Sequence, residues 1–258
     1  MKRTVLITGA TGGLGREFAH HYAQEGYALV LVARNRTALD DLAASLHDKH
    51  PIETFVYPCD FNDPSAPSQL YHALQREDIA IDTLINNAGL GYDARFMESD
   101  LATQEMLLEV NVTALTKMTR LFGADMAKRG SGSILNVASI ASYLEGPYMA
   151  TYYASKAYVR SFTEALHTEL LGSSVHVTAL CPGPVRTQFW ERASAGQTIL
   201  AHLAVSPKRI VSAGCRALRL NLSSYVPGVA WKFVAFATRF FPRSWIRLIA
   251  AQLQRPSK

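Results

Sequence analysis

The sequence predicts an α/β fold built on one doubly wound parallel sheet with helices on both faces. Three observations predict it. Six short apolar runs alternate with helix-period segments along residues 1–180, and strands apolar on both faces need cover on both sides. A glycine-rich loop, Gly9 to Gly15, joins the first run to the first helix. No internal repeat, low-complexity tract or Gly/Ser/Pro linker divides the 258 residues, so a single domain over 1–258 is expected.

Arg3 to Thr8 is a short β-branched run ended by glycine, the pattern of a buried strand. The helix after the loop puts Leu14, Phe18 and Tyr22 on one face. Ala28–Val32 reads as the second strand, and Leu39, Leu42, Ala43 and Leu46 mark the helix after it. The third strand is Thr54–Tyr57, followed by a helix over about Ser68–Arg76, and the fourth is Thr83–Asn86. One long helix is predicted from about Thr103 to Lys128, then a fifth strand, Ser133–Ala138. A helix from Thr151 to Gly172 leads to the sixth strand, Ser174–Leu180. Beyond Val185 the alternation fades. A helical flap is expected over about 187–205, a helix from Pro207 to about Asn221 and a last strand at Ser223–Val226. Two apolar, basic helical stretches, Val229–Phe241 and Arg243–Leu253, form a C-terminal extension over about 229–258, split by Pro242, which breaks helices.

Composition excludes several classes. Hydrophobic content of 48% with 18% charged residues is that of a globular protein with a full core. The longest uncharged run, Leu170–Val185, contains Gly172, Pro182 and Pro184, so it is a poor membrane span. The N-terminus shows no signal-peptide pattern, and Cys59, Cys181 and Cys215 form no ligand-like spacing. A cytoplasmic protein is expected, in solution or peripheral at a membrane surface. The eight histidines predict no metal site, since His47 and His50 share a helix face without a third ligand. The net charge of +5 conceals an asymmetry: residues 1–191 hold 15 basic and 21 acidic side chains, residues 192–258 hold 11 basic and none acidic.

Two places carry chemistry. Strand, Gly9-x-x-x-Gly13-x-Gly15, helix is a phosphate-binding arrangement, in which backbone N–H groups and the helix dipole meet a pyrophosphate. At the end of the second strand, where an NAD site has a carboxylate, stand Ala33-Arg34-Asn35-Arg36. Arg34 there suits a 2′-phosphate, which favours NADP over NAD; Arg36 is either a second contact or a solvated charge. The other place is Tyr152-Tyr153-Ala154-Ser155-Lys156. Residues three and four apart share a helix face, so either tyrosine can meet Lys156, and a nearby cation lowers a phenol's pKa towards the catalytic range.

Together these residues resemble the short-chain dehydrogenase/reductase family, in its compact branch, with a Rossmann-type fold. The match runs through Thr8-Gly9-x-x-x-Gly13-x-Gly15, Asp60, Asn86-Asn87-Ala88-Gly89, Asn111, Ser139, Tyr152-x-x-x-Lys156 and Pro182-Gly183-Pro184-Val185-x-Thr187. The resemblance implies hydride transfer between NADP(H) and a carbonyl or alcohol, with Tyr152 as general acid or base. Lys156 would hold the nicotinamide ribose and lower the Tyr152 pKa, Ser139 would bond the substrate oxygen, and Asn111 would anchor a relay water. Gly9, Thr11, Gly12, Gly13, Leu14 and Gly15 would cradle the pyrophosphate. Asp60 and Phe61 would meet the adenine end. Asn87, Ala88 and Gly89 would line the cofactor, and Pro182, Gly183, Val185 and Thr187 its nicotinamide end. Gly12 departs from the serine often found in this turn. A homodimer or homotetramer is also implied; no nucleic-acid partner is expected, because the sequence holds no recognition motif for one. A non-catalytic NADP-binding scaffold is the other reading of the same fold.

Ile140, Tyr143, Leu144, Pro147, Tyr148 and Met149 fall between Ser139 and Tyr152, with Leu90, Phe189 and Trp190 as expected neighbours. That wall suits an apolar carbonyl: a long acyl, steroid or retinoid-like compound. Lys232, Arg239, Arg243 and Arg247, interleaved with aromatics, give the tail two readings. It is an interfacial anchor for anionic membrane, or a helical segment packed on its own domain or a second subunit.

Overall fold

The computed structural model describes residues 3–187, Phe189 and 204–253. Seven parallel strands form one sheet in the order β3-β2-β1-β4-β5-β6-β7. They are β1 Thr4–Thr8, β2 Ala28–Ala33, β3 Thr54–Pro58, β4 Thr83–Asn86, β5 Gly132–Val137, β6 Val175–Leu180 and β7 Ser224–Tyr225. The chain winds outward from β1 to β3, then returns to β4 on the other side of β1. The Rossmann-type α/β fold is thus present, with its crevice beyond the carboxyl ends of β1 and β4.

Alternate side chains of each strand divide between two helical layers. On one face Val5, Ile7, Leu29 and Leu31 pack with Phe18 and Tyr22 of α1 (Gly13–Gln24), with α2 (Arg36–His47), and with the helix that follows β6 among the described residues. That last helix, Pro207–Arg219, contributes Ile210, Val211 and Cys215. On the other face Leu6, Val30 and Leu84 meet Leu70 and Leu74 of α3 (Ala66–Arg76), together with Met118 and Phe122.

The long helix expected from about 103 to 128 runs without a break over 101–129 but is not α-helical throughout. It comprises α4 (Leu101–Leu108), a π-helical turn (Glu109–Ala114) and α5 (Leu115–Arg129). A π turn takes one extra residue, which a hydrophobic period does not reveal. Asn111, within this turn, is buried. Next comes α6, Ala150–Glu169.

A buried polar chain locks α5 and α6 to the sheet. Asn86 Nδ2 donates to Thr119 Oγ1 (3.0 Å) and Asn136 Oδ1 (2.8 Å). Asn136 Nδ2 donates to Thr163 Oγ1 (3.0 Å), whose hydroxyl donates to Val159 O (2.6 Å). Each buried group has its partner.

With Pro207–Arg219 as α7, the chain ends on α8 (Val229–Ala237) and α9 (Arg243–Leu253), and Pro242 stands in the break between them. The flap expected over 187–205 falls largely outside the described residues. Its base is closed by Val185 paired with Val205, with Arg186 N donating to Val205 O (3.1 Å). Among the described residues no helix is long and apolar enough to cross a membrane.

Candidate active site

The register brings the strand ends to one edge: Thr8 opposite Val32, Asn86 opposite Asn136, Val137 opposite Leu180. Gly9, Arg34, Asp60, Asn87, Ser139 and Pro182 therefore all emerge on the same side. Gly9 has φ +63°, and a Cβ there would stand 3.0 Å from Ala88 Cα. A Cβ on Gly15 would overlap the Gly9 carbonyl oxygen, so α1 begins pressed onto the loop. Gly12 caps α1 with no side-chain acceptor. The helix-start N–H groups are thus left without a side-chain cap beside the crevice, as a pyrophosphate requires.

The crevice floor is tied by Thr8. Its hydroxyl accepts from Asn87 N (2.9 Å) and Ala88 N (3.0 Å) and donates to Ile85 O (3.3 Å). Asn87 spends its amide on Thr8 O (2.9 Å) and Gly9 O (3.2 Å). Asn87 therefore holds β1 to β4, a structural task that its place in the motif did not reveal.

At the end of β2 the two arginines separate. Arg36 makes a two-point ion pair with Asp40 (3.0 and 3.1 Å) on the surface of α2. Arg34 lies on the cavity wall, exposed. Arg36 is not among the residues that line the cavity. Asp60 and Phe61 flank the same end, with Asp60 Oδ1 accepting from Asn62 N (3.1 Å).

At the other end Tyr152 and Lys156 are both buried, 9% and 5% exposed. Lys156 Nζ donates to Val137 O (2.8 Å) and stands 5.9 Å from the centre of the Tyr152 ring. Burial pushes the Tyr152 phenol up to about 12, and the neighbouring Ser139 hydroxyl draws it partly back. Burial lowers the Lys156 ammonium to about 8. The expected lowering of the phenol by Lys156 is not found in this geometry: desolvation dominates and only the Ser139 hydroxyl opposes it. Ser139 Oγ accepts from Ala141 N (3.1 Å), which fixes the hydroxyl at the strand end.

Asn111 and Gly15 are the two expected site residues that do not reach the cavity wall. Asn111 Oδ1 accepts from Leu90 N (2.8 Å), and its amide donates to Leu90 O (2.9 Å) and Ser155 Oγ (3.1 Å). Ser155 in turn donates to Tyr152 O (2.7 Å). Ser155 was missed by sequence reasoning because nothing in the spacing distinguishes it from a core serine. Tyr153 packs its ring over Gly146 and edge-on to Tyr152.

One cavity of about 1320 Å³ joins these two ends. Typical small-molecule sites occupy about 300–1,000 Å³, so this one has room for a dinucleotide and a substrate together. Leu90, Ile140, Leu144, Met149 and Phe189 line it as expected, while Tyr143, Pro147 and Tyr148 do not. Tyr143 is instead drawn under the Arg160 guanidinium, 4.3 Å away. Trp190 lies outside the described residues. The tail supplies the remaining wall through Trp231, Phe233, Val234, Phe241 and Trp245. The Trp231 indole lies so close to Gly183 that a Cβ there would overlap it. Among the described residues the charged side chains on the wall are Arg16, Arg34, Asp60 and Lys156.

Residues 3–198 match the family model for short chain dehydrogenases. Over 191 residues, 73% of this chain and 75% of the other, the sequence is 35% identical to sulfoacetaldehyde reductase 2 of Chromohalobacter salexigens. Over 190 residues it is 31% identical to a very-long-chain 3-oxoacyl-CoA reductase of Anas platyrhynchos, covering 71% of this chain and 60% of that one. A short-chain dehydrogenase from Sphingobium yanoikuyae in complex with NADPH superposes with a TM-score of 0.83 at 30% identity, over 99% and 98% of the two chains. A 7β-hydroxysteroid dehydrogenase reaches 0.88 at 23% identity over 96% of each chain, a likeness of fold alone.

Proposed function

The chain belongs to the short-chain dehydrogenase family, and from that premise we propose that it reduces an apolar, lipid-like carbonyl with NADPH, or oxidises the matching alcohol. It is an oxidoreductase of C=O and CH–OH groups. The uncapped start of α1, the glycine cradle and the unpaired Arg34 suit NADP(H) in this chain's own residues. When bound, the reduced cofactor supplies a hydride.

The protein's part is proton and position. Tyr152, with its phenol up at about 12, carries a proton at neutral pH and gives it to the carbonyl oxygen as charge develops there. Ser139 donates a second hydrogen bond to that oxygen, and two donors aimed at developing charge stabilise it. Lys156 holds the cofactor's sugar end. Asn111 is a positioning residue: through Leu90 and Ser155 it fixes the cavity edge and the start of α6.

The observation that carries the substrate class is the distribution of charge. Arg16, Arg34 and Asp60 belong to the phosphate and adenine end and Lys156 to the cofactor, which leaves no charged side chain among the described lining residues for the substrate. An anionic substrate such as a sulfoaldehyde would need a cation there. A long acyl or bulky ring ketone needs only the apolar wall of Leu90, Met106, Ile140, Leu144 and Met149. An NADPH-oxidation screen of aldehydes and ketones graded by length and apolarity, with Tyr152→Phe as the blank, tests this. kcat/KM should climb with apolar size, and a preference for small anionic aldehydes would overturn the reading.

A further inference from the structure

The C-terminal helices have two properties that belong to different kinds of surface. Phe233, Phe241 and Trp245 line the cavity, yet they are 69%, 56% and 61% exposed. They form the lip of the cavity and not its interior. Beyond the lip the apolar surface continues outward through Phe236 and Phe240, 57% and 69% exposed with their rings 4.8 Å apart, and Leu248. None of these three touches the cavity. An apolar patch of this kind, contiguous with a cavity mouth, marks a contact surface on an otherwise water-facing protein.

Charge indicates the occupant. Lys232 and Arg247 are exposed on these two helices and Arg239 is exposed in the turn between them, and no acidic side chain occurs anywhere in residues 192–258 against 11 basic ones. A short amphipathic helix pair with aromatics at one face, lysine and arginine beside them and no carboxylates matches the interface of an anionic bilayer. We propose that α8 and α9 dock on an anionic lipid surface, and that the cavity takes its apolar substrate directly from that layer through the lip of Phe233, Phe241 and Trp245. Substrate partitioned into the bilayer then meets the mouth without crossing water. The proposal rests on reading the cavity as the site of an apolar carbonyl.

The test uses the full chain and the double variant Phe236→Ser, Phe240→Ser, which leaves the cavity wall untouched. Flotation is measured with phosphatidylglycerol–phosphatidylcholine vesicles and with phosphatidylcholine alone. Turnover is measured on a short water-soluble ketone and on a long-chain ketone dissolved in the anionic vesicles. The parent should float with anionic vesicles, lose that binding at high salt, and bind neutral vesicles weakly. The double variant should keep kcat/KM on the soluble ketone but lose about tenfold or more in vesicle binding and in turnover of the vesicle-borne ketone. Phe236→Leu with Phe240→Leu should restore both.

Absence of anionic-vesicle binding by the parent overturns the proposal, as does equal binding by parent and double variant. Self-association of the parent that the double variant abolishes, without vesicle binding, would make the patch a subunit interface and also overturn it. Equal turnover of vesicle-borne ketone by both proteins would overturn the entry route. Failure of both to reduce any apolar ketone would sink the substrate reading instead, and flotation would still decide the docking.

Discussion

At the scale of single residues, the site works by burial. Tyr152→Phe removes the proton donor, and general acid catalysis contributes about 10²–10⁴-fold. Turnover should fall by that order while NADPH affinity, read by titration, survives. Tyr153→Phe, altering a ring stacked over Gly146, should leave turnover near the parent's; this pair of variants separates two tyrosines that helix geometry alone could not. Lys156 sets a pH dependence. Burial lowers it from 10.5 to about 8, so the free enzyme loses this ammonium as pH rises through about 8. kcat/KM for NADPH should fall above that point, and the fall should vanish in Lys156→Arg. Linkage gives stability the opposite sign. Between about 8 and 10.5 the unfolded chain holds more protons at this position, so stability from Lys156 rises with pH across that window. Arg34→Asp should lose the 2′-phosphate contact; a hydrogen bond to a charged group contributes about 1.5–3 kcal/mol. The preference for NADPH over NADH, from paired kcat/KM values, should drop by about 10- to 150-fold.

Elements were legible where sequence period fixes them. The order of strands and helices to Leu180 follows from alternation, and the boundaries differ by a residue or two at most strands, the frayed margin any such element has. The glycine loop and the Tyr152–Lys156 register were legible because both are local in sequence. The π turn was not, since one inserted residue leaves the apolar pattern of Met106, Val110, Met118 and Phe122 intact. Nor was the polar chain from Thr119 through Asn86 and Asn136 to Thr163, whose members lie 27 to 50 residues apart. An asparagine inside an apolar strand looks like an interruption until its partners are in view. Asn136→Leu would remove one hydrogen bond from Asn86 and one from Thr163, while Asn86 keeps Thr119 and Thr163 keeps Val159 O; at about 0.5–1.5 kcal/mol for each net bond, the cost is about 1–3 kcal/mol. Urea unfolding should show a loss of that order. Turnover should also fall, because α6 carries Tyr152 and is held to the sheet by the same chain.

Over the whole molecule, the tail joins the site. Sequence reading left it as an anchor or a packed segment because basic charge and apolar spacing serve both. The structure shows packing on the chain's own domain: Trp231 and Val234 pack on the core, while the lip residues wall the cavity and face outward. Phe233→Asp should therefore raise KM for a long-chain ketone by about tenfold while KM for NADPH holds. A matched rise in both constants would mean that the tail props up the whole fold and does not shape the substrate end.

The Trp231 indole against Gly183 also makes the molecule its own optical gauge. Indole emission is sensitive to the polarity and motion of its immediate neighbours, and Gly183 belongs to the loop after β6 that lines the cavity. In a chain with Trp190 and Trp245 replaced by phenylalanine, leaving Trp231 the sole indole of the three, rearrangement of that loop would alter the light from Trp231 and a fluorimeter would read tail and loop together.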